Sequence, residues 1–270
     1  MASKRPKHTS NTEACTIFGV RDTTGRIIIG RNYDWIPQAR EVFQVYRVDI
    51  KGCHKFIAVS DENVWNRRYT SSKWWNFMPE DYINDQGLFI GLTYAHNPAA
   101  SYGLTPSHIM RLIAEKCTTV SQALKIFQKV PVCYAKNFFI ADKHGAMAVV
   151  EHAAAHQYQV LQPNANVLIH TNHYLAPRLV SHDQVLIEHP THTTYLRYYE
   201  ALRGINRCLE RDGQFTRSDA MAILRQSNYV YTQDLPRFAT IWSLALDLGD
   251  ACYDLRFDTL TGEKSVRLEV

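Results

Sequence analysis

Glu13-Ala14-Cys15-Thr16-Ile17-Phe18-Gly19-Val20-Arg21-Asp22 is followed, across a turn at Thr23-Thr24-Gly25-Arg26, by Ile27-Ile28-Ile29-Gly30-Arg31-Asn32-Tyr33-Asp34-Trp35. The two runs read as the strands of a β-hairpin. Asp22 to Arg26 is turn chemistry, with Gly25 where a positive φ is expected. The continuous run Ile27-Ile28-Ile29 predicts a second strand buried on both faces. Gly30 lets another backbone approach closely. The cysteine opens the first strand, and an arginine and an aspartate close the second. An adjacent arginine favours a thiolate, and the hairpin can bring Arg31 and Asp34 beside Cys15.

The remaining elements follow from periodicity. Residues 42–50 and 55–60 read as strands, and 61–82 as a long aromatic loop holding Trp65, Tyr69, Trp74, Trp75, Phe77 and Tyr82. Loops of that length are commonly functional, so Trp65, Trp74 and Trp75, with Tyr94, are candidates to line an apolar acyl pocket. Asn84 to Gly87 is a turn into a buried strand at 88–94. Thr105-Pro106 marks a helix start, as N-cap and first helical residue. A second helix spans 121–130. Residues 137–142 and 146–151 form a hairpin around Lys143-His144-Gly145. Tyr158–Leu161 and Val167–His170 continue the β region. Residues 193–210 form a helix with Leu196, Tyr199, Leu202, Ile205 and Leu209 on one side. Residues 218–226 form another, and 239–247 with 251–258 a late hairpin that 264–270 extends. Strands, two helices, strands, two helices, strands is α+β order with segregated layers, not βαβ alternation. There is no internal repeat and no linker, so 15–270 reads as one domain. Residues 1–14 are polar, basic and aperiodic, and read as a disordered tail or pro-segment.

Composition narrows the function. Of 270 residues, 46% are hydrophobic and 21% charged, as in soluble globular chains. The formal net charge of +4 divides into +2 for residues 1–14 and +2 for the other 256, and no basic and aromatic residues interleave. Nucleic acid is therefore not an expected partner. No run of eighteen apolar residues exists, which predicts no membrane span, and no apolar signal segment opens the chain. The six cysteines stand singly, with no C-x-x-C. They read as thiols in a reducing compartment, the cytoplasm being the simplest, and all but Cys15 read as inert.

If Cys15 became a chain N-terminus, its α-amino group, with an ordinary pKa of about 7.7–8.0, would serve as base for its own thiol. Asp34 would orient the amine and Arg31 would favour the thiolate. At this point the chain resembles the cysteine N-terminal nucleophile (Ntn) hydrolases: choloylglycine hydrolases, penicillin V acylases and acyl-coenzyme A:6-aminopenicillanic acid acyltransferase-like enzymes. The resemblance rests on Cys15-Thr16 with Gly30-Arg31-Asn32-Tyr33-Asp34, on Asn84 to Leu88 with Gly91 to Tyr94, and on Phe139 to Asp142 with Val149-Val150-Glu151. It extends to Thr171-Asn172 and Thr240-Ile241-Trp242-Ser243.

The resemblance implies a four-layer αββα sandwich, two antiparallel sheets between helical layers. It implies attack by Cys15 on a linear amide carbonyl, with an acyl-enzyme passed to water or an amine. Asn172 would donate to the oxyanion. It implies no cofactor, a small-molecule acyl-amide as partner, and a homodimer or homotetramer. The chain departs from bile-salt hydrolases at Thr93, where they carry a second oxyanion asparagine. That role would pass to a backbone N–H, to Thr93 or to Tyr94. Where some relatives have a late-helix arginine the alignment puts Thr194, with Arg197 one turn on, and neither enters the expected site. The acyltransferase-like branch fits best. Unlike chains that expose their cysteine by losing Met1, this one would need autocatalytic cleavage between Ala14 and Cys15.

Three other readings compete. His152 and His156, His170 and His173, and His189 and His192 have ligand-like spacings beside Glu151, which suits a metal-dependent hydrolase. No H-E-x-x-H helix accompanies them. Cys15 with His173 would form a Cys–His pair that needs no processing. A non-catalytic binding protein on the same scaffold is the third.

Overall fold

The computed structural model describes residues 14–35, 39, 44–60, 79–154, 157–163, 165–184, 193–227, 239–249, 252–259 and 262–269. The opening hairpin forms as read. β1 (Ala14–Arg21) and β2 (Ile27–Trp35) pair antiparallel, with Cys15 opposite Tyr33 and Ile17 opposite Arg31. β2 is buried along its whole length because it is a central strand, with β1 on one side and β11 (Ala239–Asp247) on the other. β10 (Val167–His170), β12 (Cys252–Thr259) and β13 (Gly262–Glu269) complete a six-stranded sheet in the order β10-β1-β2-β11-β12-β13.

The second sheet has seven strands in sequence order: β3 (Gln44–Val48), β4 (Phe56–Ser60), β5 (Asp81–Asn84), β6 (Leu88–Tyr94), β7 (Lys136–Asp142), β8 (Met147–Ala154) and β9 (Gln157–Leu161). Every pairing in both sheets is antiparallel. β5 corrects the loop reading of 61–82. Asp81-Tyr82-Ile83-Asn84 is too short and too polar to announce itself, and it is a strand because β4 and β6 pair with it from both sides. Trp65, Tyr69, Trp74, Trp75 and Phe77 lie outside the described residues.

Alternation along the strands gives each sheet two apolar faces. Ile17, Ile29, Tyr33, Ile57, Val59, Phe89, Phe139, Val149 and Leu244 meet between the sheets. The outer face of the seven-stranded sheet packs against α1 (Pro106–Lys116) and α2 (Val120–Lys129). The outer face of the six-stranded sheet packs against α3 (Thr194–Asp212) and α4 (Arg217–Gln226). The result is the four-layer αββα sandwich.

The starts of α1, α2 and α4 carry side-chain caps, whereas that of α3 carries none. The Thr105 hydroxyl accepts from the His108 N–H ahead of Pro106, and Thr216 with Asp219 makes a reciprocal capping box on α4. Asp142 Oδ2 accepts the first N–H of α2, from Val120, at 2.8 Å. Two sequence expectations change. Gly30 admits no backbone; the Phe18 ring from the paired strand lies across it and would collide with any Cβ. On α3 the inward stripe is Thr194, Arg197, Ala201 and Ile205, whereas Leu196 and Tyr199 are 59% and 65% exposed. The apolar pattern missed the first two turns because a buried arginine occupies them.

Candidate active site

β1 and β2 sort the site by face. Residues opposite one another in an antiparallel pair project to the same side. Cys15, Ile17, Arg31 and Tyr33 therefore face the space between the sheets, while Thr16, Asn32 and Asp34 face the helical layer of α3 and α4. Two cross-links hold this register. Asn32 Nδ2 donates to the Leu224 carbonyl of α4 at 2.9 Å, and the Ser243 hydroxyl donates to Asn32 Oδ1 at 2.7 Å.

Arg31 is fully buried beside the Cys15 side chain. Its Nε donates to Asp81 Oδ1 at 2.9 Å, one terminal nitrogen to Asn32 O at 2.6 Å and the other to Leu92 O at 2.9 Å. Asp81 Oδ2 in turn accepts the Trp242 indole N–H at 2.8 Å. Trp242 stacks on Tyr33 at 4.1 Å, and the Arg31 guanidinium stands 5.3 Å from the Tyr33 ring centre. Burial alone would lower the arginine pKa, but Asp81 and Cys15 outweigh it and raise it, so Arg31 is a fixed cation. Gly91 makes the pair fit: a Cβ there would stand 2.8 Å from Asp81 Oδ1.

The Cys15 backbone is gripped from the helix side. Its N–H, which is the amide of the Ala14–Cys15 bond, donates to Asn172 Oδ1 at 2.8 Å. Arg197 on α3 donates to the Cys15 carbonyl, to the Thr16 hydroxyl at 3.1 Å and to Asn172 Oδ1 at 2.6 Å. With two donors on Oδ1, the other half of the Asn172 amide is the NH₂, and it donates to Tyr94 O at 3.1 Å. The Asn172 N–H goes to the Thr194 hydroxyl at 2.9 Å. Asp34 lies directly across from Ala14. Its Oδ1 accepts from the Thr240 hydroxyl at 2.6 Å, while its buried Oδ2 has no hydrogen-bond partner among the described residues. Burial pushes the Asp34 pKa up, with Arg197, Thr240 and Arg31 pulling the other way.

The structure thus brings Ala14, Cys15, Arg31, Asp34 and Asn172 together. Thr93 is buried on the inner face of β6, its hydroxyl 3.2 Å from His170 Nδ1. Tyr94 contributes its carbonyl, and its ring packs edge-on to His96 with the Lys136 ammonium 4.5 Å from its centre. His173 Nδ1 lies 2.9 Å from the Thr194 hydroxyl and 3.1 Å from that of Thr171, with its ring against Tyr195 and Tyr198. Burial first, then the charges of His170 and Arg197, lower its pKa to about 4, so it is neutral at pH 7. Among the described residues no three His, Cys, Asp or Glu side chains gather as metal ligands; His156, His189 and His192 lie outside them. Burial pushes the Cys117 thiol up to about 11. No helix among the described residues is long and apolar enough to cross a membrane.

Two partners were not legible. Asp81 sits in the stretch read as loop. Arg197 sits on a helix whose apolar spacing pointed elsewhere; its position one turn beyond the aligned Thr194 was the available signal.

Among solved structures, the fold is similar to a mutant conjugated bile acid hydrolase from Clostridium perfringens. The TM-score is 0.68 at 12% identity, over 94% of this chain and 92% of that one. It is also similar to penicillin V acylase from Agrobacterium tumefaciens, with TM-score 0.67, 13% identity and coverage of 95% and 86%. A Caenorhabditis elegans ortholog of N-acylethanolamine-hydrolyzing acid amidase gives 0.58 at 14% identity, over 87% and 93%. At these identities the likeness establishes the fold alone, the four-layer αββα sandwich. No curated protein sequence matches significantly. The family model for acyl-coenzyme A:6-aminopenicillanic acid acyl-transferase matches residues 20–260, and the chain therefore belongs to that family.

Proposed function

We propose that the protein is an N-terminal-cysteine amidase or acyltransferase that cleaves linear amides through a Cys15 thioester, after autocatalytic cleavage of Ala14–Cys15. The observation that carries this reading is the grip on one residue. The Cys15 side chain faces Arg31 between the sheets, while its N–H and carbonyl are held on Asn172 and Arg197. An ordinary strand cysteine has no use for two buried arginines.

In the processing step the Cys15 thiolate attacks the Ala14 carbonyl carbon, and the C–N bond breaks as the nitrogen takes a proton. Residues 1–14 are left as a thioester on Cys15. Water hydrolyses that thioester, releasing the segment and restoring the thiol. The new amine keeps its bond to Asn172 Oδ1 and has further protons for Asp34 Oδ2, the buried oxygen that lacks a partner among the described residues beforehand. An unsatisfied buried acceptor costs about 1–3 kcal/mol, so processing removes a penalty built into the uncleaved chain.

In turnover the α-amine takes the thiol proton, the thiolate attacks the substrate carbonyl, and the amine returns the proton to the leaving nitrogen. Arg31 holds the thiolate form. The Asn172 NH₂ has a second proton beside the one given to Tyr94 O, and that proton serves the oxyanion. Water or an acceptor amine then releases the acyl group. The bile acid hydrolase and penicillin V acylase likenesses support small acylated amines as the substrate class. The test is to incubate processed protein with acylated amino acids, penicillin V, N-acyl lactones and conjugated bile salts, quench in acid and map the adduct by mass spectrometry. An acyl mass on Cys15 that is missing from Cys15→Ala supports the reading. Turnover that survives Cys15→Ala refutes it.

A further inference from the structure

Thr93, Asn137 and Glu151 are laterally adjacent across β6, β7 and β8. Alternation puts all three on the face that looks toward the six-stranded sheet, and all three are buried. His170, from β10 of that other sheet and itself fully buried, spans the row. Its Nε2 is 2.9 Å from Glu151 Oε1, and its Nδ1 is 2.8 Å from Thr171 O and 3.2 Å from Thr93 Oγ1.

The partners dictate where the protons are. Glu151 also accepts the Leu175 N–H at 2.6 Å and the Ala176 N–H at 2.9 Å. Burial works against its charge, but His170 and those two N–H groups prevail and hold it ionised. An ionised carboxylate has no proton to give, so His170 Nε2 is the donor. A carbonyl has none either, so Nδ1 donates to Thr171 O. The ring is then an imidazolium paired with Glu151. His170, Arg197 and Glu151 all act on the neighbouring neutral His173, while Asn137 carries no charge. Because Nδ1 carries a proton, Thr93 Oγ1 meets it as an acceptor, and the Thr93 hydroxyl proton must point elsewhere. The carbonyls of the two residues on either side of Thr93 are tied to the site: Arg31 donates to Leu92 O and Asn172 to Tyr94 O.

We propose that His170, kept as an imidazolium by Glu151, is a positioning residue that turns the Thr93 hydroxyl proton toward the reacting carbonyl and makes Thr93 the second oxyanion donor beside Asn172. The proposal rests on Cys15 being the nucleophile, so its test has an arm that does not depend on activity. In histidine-¹⁵N-labelled wild-type protein at pH 7, assigned by comparison with His170→Asn, both His170 ring nitrogens are protonated. A single neutral tautomer overturns the proposal whether or not Cys15 is acylated. The kinetic arm uses an amide that acylates Cys15. Thr93→Ser stays within about threefold of wild type, whereas Thr93→Val loses about 10²-fold in kcat with KM retained. Glu151→Gln loses about tenfold or more in kcat, and adds little to that loss in the Thr93→Val background because the two act through one hydroxyl. Full additivity, or a Thr93→Val enzyme with wild-type kcat, overturns the proposal. Turnover that persists without Cys15 sinks the functional reading instead and leaves the ring-nitrogen result standing.

Discussion

Replacing Asp81 by alanine tests how the site is anchored. The substitution removes the carboxylate that Arg31 Nε meets at 2.9 Å and the acceptor that the Trp242 indole meets at 2.8 Å. The Arg31 side chain is fully buried and that of Asp81 is 2% exposed, so water cannot take the vacated place. Deleting one partner of a buried ion pair costs about 3–5 kcal/mol, and an orphaned buried donor about 1–3 kcal/mol. Arg31 keeps two carbonyl acceptors, at Asn32 and Leu92, which holds the sum near the low end. We expect a loss of about 4–5 kcal/mol. For a chain this long, about 2 °C of Tm accompanies each kcal/mol, giving a fall of about 8–10 °C. Asp81→Asn keeps the volume and one acceptor but no charge, and should lose about half as much. Scanning calorimetry of the three proteins at pH 7 measures this. An Asp81→Ala Tm within about 3 °C of wild type would refute the reasoning.

Asn172→Ala removes the oxyanion donor proposed above and should lower kcat about 10²–10³-fold with KM little changed; steady-state kinetics on an amide that acylates Cys15 decide it. Gly91→Ala forces a Cβ to 2.8 Å from Asp81 Oδ1 and 3.0 Å from Ile17 Cδ1. It should cost about 1–3 kcal/mol by urea unfolding, and no loss would mean that the pair tolerates displacement. His173 gives a pH signature. Its folded pKa of about 4 lies below its ordinary 6.5, so the unfolded chain binds the extra proton between those values. Stability is therefore lost as pH falls from about 6.5 to 4, by about 3 kcal/mol from this group. His173→Gln should remove that part of the slope in a Tm-against-pH series, and an unchanged slope would contradict the assignment.

What could be read from the residues alone was what neighbouring residues decide. The Cys15 hairpin, the Thr105-Pro106 helix start and the Asp142 to Gly145 turn are local chemistry, and they appear where expected. Asn172 was found only by likeness, since β10 reaches β1 across about 150 residues of chain and no spacing rule links them. Asp81 and Arg197 were hidden for a shared reason. A charged residue in sequence reads as solvated, and only tertiary packing turns it inward. Each is buried because another buried group needs it: Arg31 needs a counter-charge, and the Cys15 carbonyl needs a donor. The Glu151–His170 pair has the same logic. Its histidine spacing suggested metal ligation, whereas the carboxylate meets the imidazole directly.

The central claim is that Cys15 acts as a chain N-terminus, and the intact mass with N-terminal sequence of the purified protein tests it most directly. The account predicts that wild-type protein begins at Cys15, while Cys15→Ala retains residues 1–14 and forms no acyl adduct. Wild-type protein that keeps residues 1–14 and is still fully acylated by an amide substrate would contradict it.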